Sequence, residues 1–125
     1  MGKSILIIGE DPAYLDFAAP DAPKGMSAAV IMDGLNGSVA RLEAAGHKAA
    51  LLLTKDAETV EGQARAALTK AHYDVIVIGA GLRTLPPLAL LFERLVNVLR
   101  AAAPEAKLAF NSRPDDSDAA ALRWV

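Results

Sequence analysis

The stretch VIVIGAGLRTLPP, residues 75–87, joins a four-residue apolar run to two glycines, an arginine and a proline pair. The run Val75-Ile76-Val77-Ile78 does not alternate apolar with polar, so it does not read as a strand with one wet face. Such a run, closed by glycine, suits a parallel strand covered on both sides. Three more runs share this character: Ile5-Leu6-Ile7-Ile8, closed by Gly9; Ala49 to Leu53, launched from Gly46-His47-Lys48; and Lys107-Leu108-Ala109-Phe110.

Helical segments separate the runs. Ser27 is placed to cap the first, with Met26 and Ile31 as a hydrophobic staple across the cap. Its stripe is Ile31, Leu35, Val39 and Leu42, and Gly46 stops it. A second helix is expected from near Asp56, with Glu58 in its first turn and a stripe of Val60, Ala64, Leu68 and Ala71. The third is expected from Thr84, its prolines 86 and 87 tolerated in the first turn. It carries Leu88, Leu91, Phe92, Leu95 and Leu99 as far as Pro104. A short last helix runs from Ser117 to about Trp124, behind Asp115-Asp116.

The order is thus β-α repeated four times, and right-handed crossovers leave few topologies open. The simplest is one domain over residues 1–125, a three-layer α/β/α sandwich of the flavodoxin or Rossmann type. Its four-stranded parallel sheet has the order 2-1-3-4, with a switch point between strands 1 and 3. Gly34 and Gly37 fall on one face of the first helix, where close packing accounts for them.

Bulk properties narrow the function. The 125 residues are 53% hydrophobic, enough for a core without disulfides, and no cysteine is present for disulfide, thiolate or Cys-based zinc chemistry. A net charge of −2 gives no electrostatic footprint for nucleic acid. Ile5 to Ile8 is too short for a signal-peptide core or a membrane span, so a cytoplasmic location without membrane attachment is expected.

Open α/β sheets bind ligands beyond the carboxyl ends of their strands. Those ends carry Glu10 and Asp11 after strand 1, Gly79 to Thr84 after strand 3, and Asn111, Ser112, Arg113 and Asp115 after strand 4. The segment from Asp11 to Met26, with Tyr14, Asp16, Asp21 and Lys24, far exceeds the roughly 2–6 residues usual for such connections. It is expected to be either functional, as a lid closing over the site, or mobile.

The glycine stretch fails as a dinucleotide fingerprint, since Thr84 stands where a third glycine belongs and the motif follows the third strand. No cofactor is expected, and the glycines are assigned to a tight turn and close backbone approach. Arg83 stands beside a helix start, where backbone N–H groups and a guanidinium suit a phosphate or carboxylate. Two partners stay open for it: an anionic ligand, or Glu10 and Asp11 across the switch point. Glu10-Asp11 lacks a third ligand for a cation, and no metal is expected. Asp115, Asp116 and Asp118 are assigned as caps and dipole partners of the last helix. His47 and His72 fall at the far edge of the sheet and are assigned to the surface. Ser4 and Ser38 lack a nucleophile elbow.

With its strand ends laid out, the domain resembles a response-regulator receiver. Glu10-Asp11 match the acidic pair after strand 1, and Ser112 matches the hydroxyl residue after strand 4. The resemblance implies the fold. It departs at strand 3, where Gly79 stands in place of a phosphoacceptor aspartate, and no fifth strand with its lysine precedes Val125. The chain also resembles a family of small bacterial α/β proteins, to which no activity attaches. Two functions compete. The first is binding of a small molecule or anion, a small anionic ligand among the candidates, by Glu10, Asp11, Arg83, Asn111, Ser112 and Arg113, with catalysis left undecided. The second is a non-catalytic, pseudo-receiver-like interaction module, a homodimer joined through helix 85–100 or Trp124. Phosphotransfer is a poor third.

Overall fold

The four apolar runs lie side by side in one sheet, in a computed structural model that describes residues 2–15 and 25–125. Strands β1 (Ser4–Glu10), β2 (Lys48–Thr54), β3 (Val75–Ile78) and β4 (Lys107–Phe110) are all parallel, in the expected order 2-1-3-4. The chain is an α/β sandwich of the flavodoxin-like kind. In the ladder Ile5 faces Ala49 on one side and Val75 on the other, and Val75 in turn faces Lys107.

Alternation along each strand divides the core in two. Leu6, Ile8, Ile76 and Ile78 pack against helices α2 (Val60–Lys70) and α4 (Ala89–Ala102). Ile5, Ile7, Val75, Val77 and Ala109 pack against α1 (Ala28–Ala44) and α5 (Ser117–Leu122). Full burial on both faces holds for the central strands β1 and β3 only. The outer strands are less covered, because each has a neighbour on one side alone: β2 is half-buried over most of its length, and β4 is exposed at both of its ends.

Helix boundaries follow the local chemistry. The Ser27 hydroxyl accepts the Val30 N–H at 3.2 Å and caps α1. At the other end Gly46 takes φ +93°, a left-handed conformation that favours glycine. The second helix starts four residues later than the sequence suggests. Asp56 instead closes a turn, its carboxylate accepting both the N–H and the hydroxyl of Thr59, so that α2 begins at Val60 and Ala71 lies beyond its end.

The third helix is the main correction. The expected single helix from Thr84 is two, α3 (Ala80–Thr84) and α4, joined by a 3₁₀ turn at Pro86–Leu88. The residue before a proline is pushed out of the helical region, and Leu85 accordingly sits extended at φ −93°, ψ 113°. Gly79 and Gly81 are not left-handed either, so no tight turn calls for them. Gly79 serves close approach: a Cβ there would stand 3.3 Å from the Ile8 carbonyl oxygen. Gly81 would meet nothing within 4 Å, because it borders open space.

Candidate functional site

That open space is a cleft of about 520 Å³ over the carboxyl ends of β1, β3 and β4. The break at Leu85 helps to form it. With the helix interrupted, Leu82, Leu85 and Leu88 make one wall, and Ile31 and Leu35 of α1 face them with Met26. The cleft is mainly apolar, with a few polar groups at its base and rim, the composition of a small-molecule site.

Four of the six residues expected at a site come together here: Glu10, Asn111, Ser112 and Arg113. Their roles differ. Asn111 is buried and fully engaged, its Oδ1 accepting the Ala80 N–H at 2.8 Å and its Nδ2 donating to the Ser117 hydroxyl at 2.8 Å. It ties the end of β4 to the starts of α3 and α5. The Ser112 N–H donates to the Asp116 carboxylate at 3.0 Å, and the residue is exposed. Arg113 sits at the rim in an exposed ion pair with Asp115, 3.0 Å away.

Asp11 and Arg83 lie outside the cleft. The Asp11 carboxylate caps the turn Pro12–Tyr14 by accepting the Ala13 N–H at 2.9 Å. Among the described residues Arg83 pairs with neither Glu10 nor Asp11. Its Nη2 donates to the Asn111 carbonyl and its Nε to the Ile78 carbonyl at 3.4 Å. The guanidinium also lies over the Phe110 ring, 4.9 Å from the centroid, beside a separate groove between α4 and β4. It closes the free carbonyls at the ends of two strands.

Glu10 is the group that stands apart. Its Oε2 is buried without a hydrogen-bond partner among the described residues, and burial pushes its carboxyl above the ordinary glutamate range. Its ladder partner on β2 is Thr54, whose hydroxyl is also buried and unpartnered among those residues. Both side chains follow the α2/α4 face set by Leu6, Ile8, Ala50 and Leu52. Thr54 does not line the cleft, whereas Glu10 does.

Residues 16–24 of the expected lid segment, Asp16, Asp21 and Lys24 among them, lie outside the described residues. On the described flanks, Tyr14, Leu15 and Met26 line the cleft, and the Lys55 ammonium lies 5.7 Å from the Tyr14 ring centroid. The apolar walls escape a reading of the sequence by strand ends, because that rule gathers polar residues. The Leu85-Pro86-Pro87 break is their available signal. Thr54 escapes it as well, since the rule looks to strands 1 and 3 and not to the end of β2.

Several other titratable groups have structural partners among the described residues. The His47 Nδ1 accepts the Lys3 N–H at 2.9 Å, and exposed His72 lies 3.3 Å from Asp74. Asp118 stands in the first turn of α5, as expected of a dipole partner, and also belongs to a contact between helices. Its carboxylate accepts from the Arg41 Nε at 2.8 Å and from the Ser38 hydroxyl at 3.3 Å. The Arg41 hydrogen bond holds the Asp118 carboxyl below the usual aspartate range. Gly34 allows this seam to close, for a Cβ there would come within 2.9 Å of Pro114. Among the described residues no helix is long and apolar enough to cross a membrane.

No protein-family model matches this chain, and no curated protein matches it either.

Proposed function

We propose that this chain is a small-molecule-binding α/β domain whose site is the cleft over β1, β3 and β4. One observation carries the reading: a carboxylate, Glu10, has a buried oxygen without a partner among the described residues and lines a mainly apolar cleft of ligand size. A buried polar group without a partner costs free energy, and a fold that needed only packing there would be more stable with an apolar residue. Such groups concentrate where a ligand completes them.

The same geometry weighs against an anion. Arg83 and Arg113 are the residues that suggest an anion, but Arg83 binds strand-end carbonyls and Arg113 pairs with Asp115 at the rim. Glu10, Asn111, Ser112 and Arg113 remain the lining candidates, with Glu10 as the anchor. The test is a fragment screen by two-dimensional amide NMR on the whole chain. Ligands are expected to shift Gly79 to Leu82 and Asn111 to Arg113 together, and hits scattered elsewhere would overturn the assignment.

A second reading rests on exposed apolar residues away from the cleft: Leu90 on α4, Phe110 on the edge strand β4, and Trp124. They suit self-association through helix 85–100 or the last residues. Light scattering behind size-exclusion chromatography tests it, and a monomer at high micromolar concentration would exclude the homodimer.

A further inference from the structure

Of the two charged residues that line the cleft, Arg113 is paired with Asp115, whereas Glu10 has an oxygen without a partner among the described residues, and its chemistry specifies what completes it. Glu10 offers acceptor oxygens only when ionised, and its Oε2 has no N–H or O–H directed at it from the described residues. A phosphate or carboxylate ligand would bring a second negative charge to an oxygen that already lacks a donor. A neutral alcohol supplies one donor and leaves the charge uncompensated. An ammonium supplies three N–H donors and the opposite charge in one compact group, and charge-assisted hydrogen bonds are the strong ones.

The walls set the remainder of the ligand. Leu82, Leu85 and Leu88 on one side and Ile31, Leu35 and Met26 on the other have no hydrogen-bonding side chains, so they select a hydrocarbon body. Gly81 leaves open the space into which that body would extend. The Tyr14 ring stands at the same cleft, with the Lys55 ammonium 5.7 Å from its centroid. Resting on the small-molecule reading above, we propose that the cleft binds a small primary amine with an apolar body. Its ammonium is held by Glu10 and its hydrocarbon lies between α1 and the α3–α4 break.

Three probes of one shape separate the possibilities: 2-phenylethylamine, 2-phenylethanol and phenylacetate. Each is titrated at neutral pH into the whole ¹⁵N-labelled protein, following the amides of Gly79 to Leu82 and Asn111 to Arg113. The amine is expected to bind about tenfold more tightly than the alcohol, the scale of one charge-assisted hydrogen bond, with the carboxylate weakest. Glu10→Gln should bring the amine to the level of the alcohol, erasing the preference between them. Thr54→Val, which removes the neighbouring unpartnered hydroxyl without altering the cleft wall, should preserve the preference for the amine. If the alcohol binds as well as the amine, or Glu10→Gln leaves the amine unaffected, the ammonium assignment falls and the binding site survives. Tightest binding by the carboxylate has the same consequence. If none of the three moves these amides, the small-molecule reading falls with it.

Discussion

Two polar regions flank the same sheet, and they are built on opposite terms. Between α1 and α5 every named group is matched: Ser38, Arg41 and Asp118 bond to one another, to the Pro114 carbonyl and to the Asp115 carbonyl. At the ends of β1 and β2, Glu10 and Thr54 carry buried oxygens without partners among the described residues. The first region closes a seam between elements. The second is closed by nothing the described chain supplies. The two carboxylates record the difference, with Asp118 held below its ordinary range by the Arg41 hydrogen bond and Glu10 pushed above its own by burial. A polar residue at a strand end therefore merits a functional reading only after its hydrogen bonds have been traced.

Asn111 offers the hardest test of that contrast, because it lines the cleft yet belongs with the satisfied groups. Asn111→Ala removes both of its bonds and leaves the Ala80 N–H and the Ser117 hydroxyl short of a partner. Stability should fall by about 2–3 kcal/mol in a urea titration. A loss near zero would show that the residue is held for a ligand instead.

Arg83 comes next. Arg83→Ala should lower stability by about 1–2 kcal/mol through the freed strand-end carbonyls and the lost stacking on Phe110. Arg83→Lys should recover little of it, since an ammonium cannot reproduce the planar fork. Binding in the cleft should be unchanged in both variants; if cleft ligands are lost while the fold stays stable, Arg83 belongs to the site after all.

A smaller effect distinguishes the carboxylates by pH. A group whose folded pKa is depressed contributes stability above its unfolded pKa and loses it as pH falls through the folded value. Asp118 should therefore steepen the loss of stability in acid, and Asp118→Asn should flatten that limb in urea titrations run from neutral to low pH. An acid limb of the same slope in the variant would show that Asp118 has no part in acid stability.

The sheet is legible in the sequence because its evidence is local and repeated. Four unalternating apolar runs separated by amphipathic segments admit few parallel topologies, and Ser27 and Gly46 mark the ends of α1 by their own chemistry. The α3–α4 break is harder to read because two proline rules conflict at residues 85–87. Tolerance of proline in a first turn suggests one helix, and the restriction on the residue before proline prevails. The partners of Arg83 are hidden because they are backbone carbonyls, which no side-chain pattern marks. Asp118 reads as a partner of its own helix because nothing local indicates an arginine 77 positions away. Glu10 is placed at the cleft by its strand end, but its isolation depends on what surrounds it in three dimensions.

Glu10 also supplies the sharpest test of whether this edge of the sheet is kept for a ligand at some cost to the fold. A carboxyl raised by burial contributes stability fully below its unfolded pKa and loses it as pH rises through the folded value. The measurement is the urea stability of Glu10→Leu against the wild-type chain, without ligand, at pH 7 and again in mild acid. The variant is expected to be more stable by about 1 kcal/mol at pH 7, with the gap narrowing as pH falls toward the ordinary glutamate range. A variant less stable than wild type by about 1 kcal/mol or more at pH 7 would make Glu10 a structural group and end its assignment to a ligand.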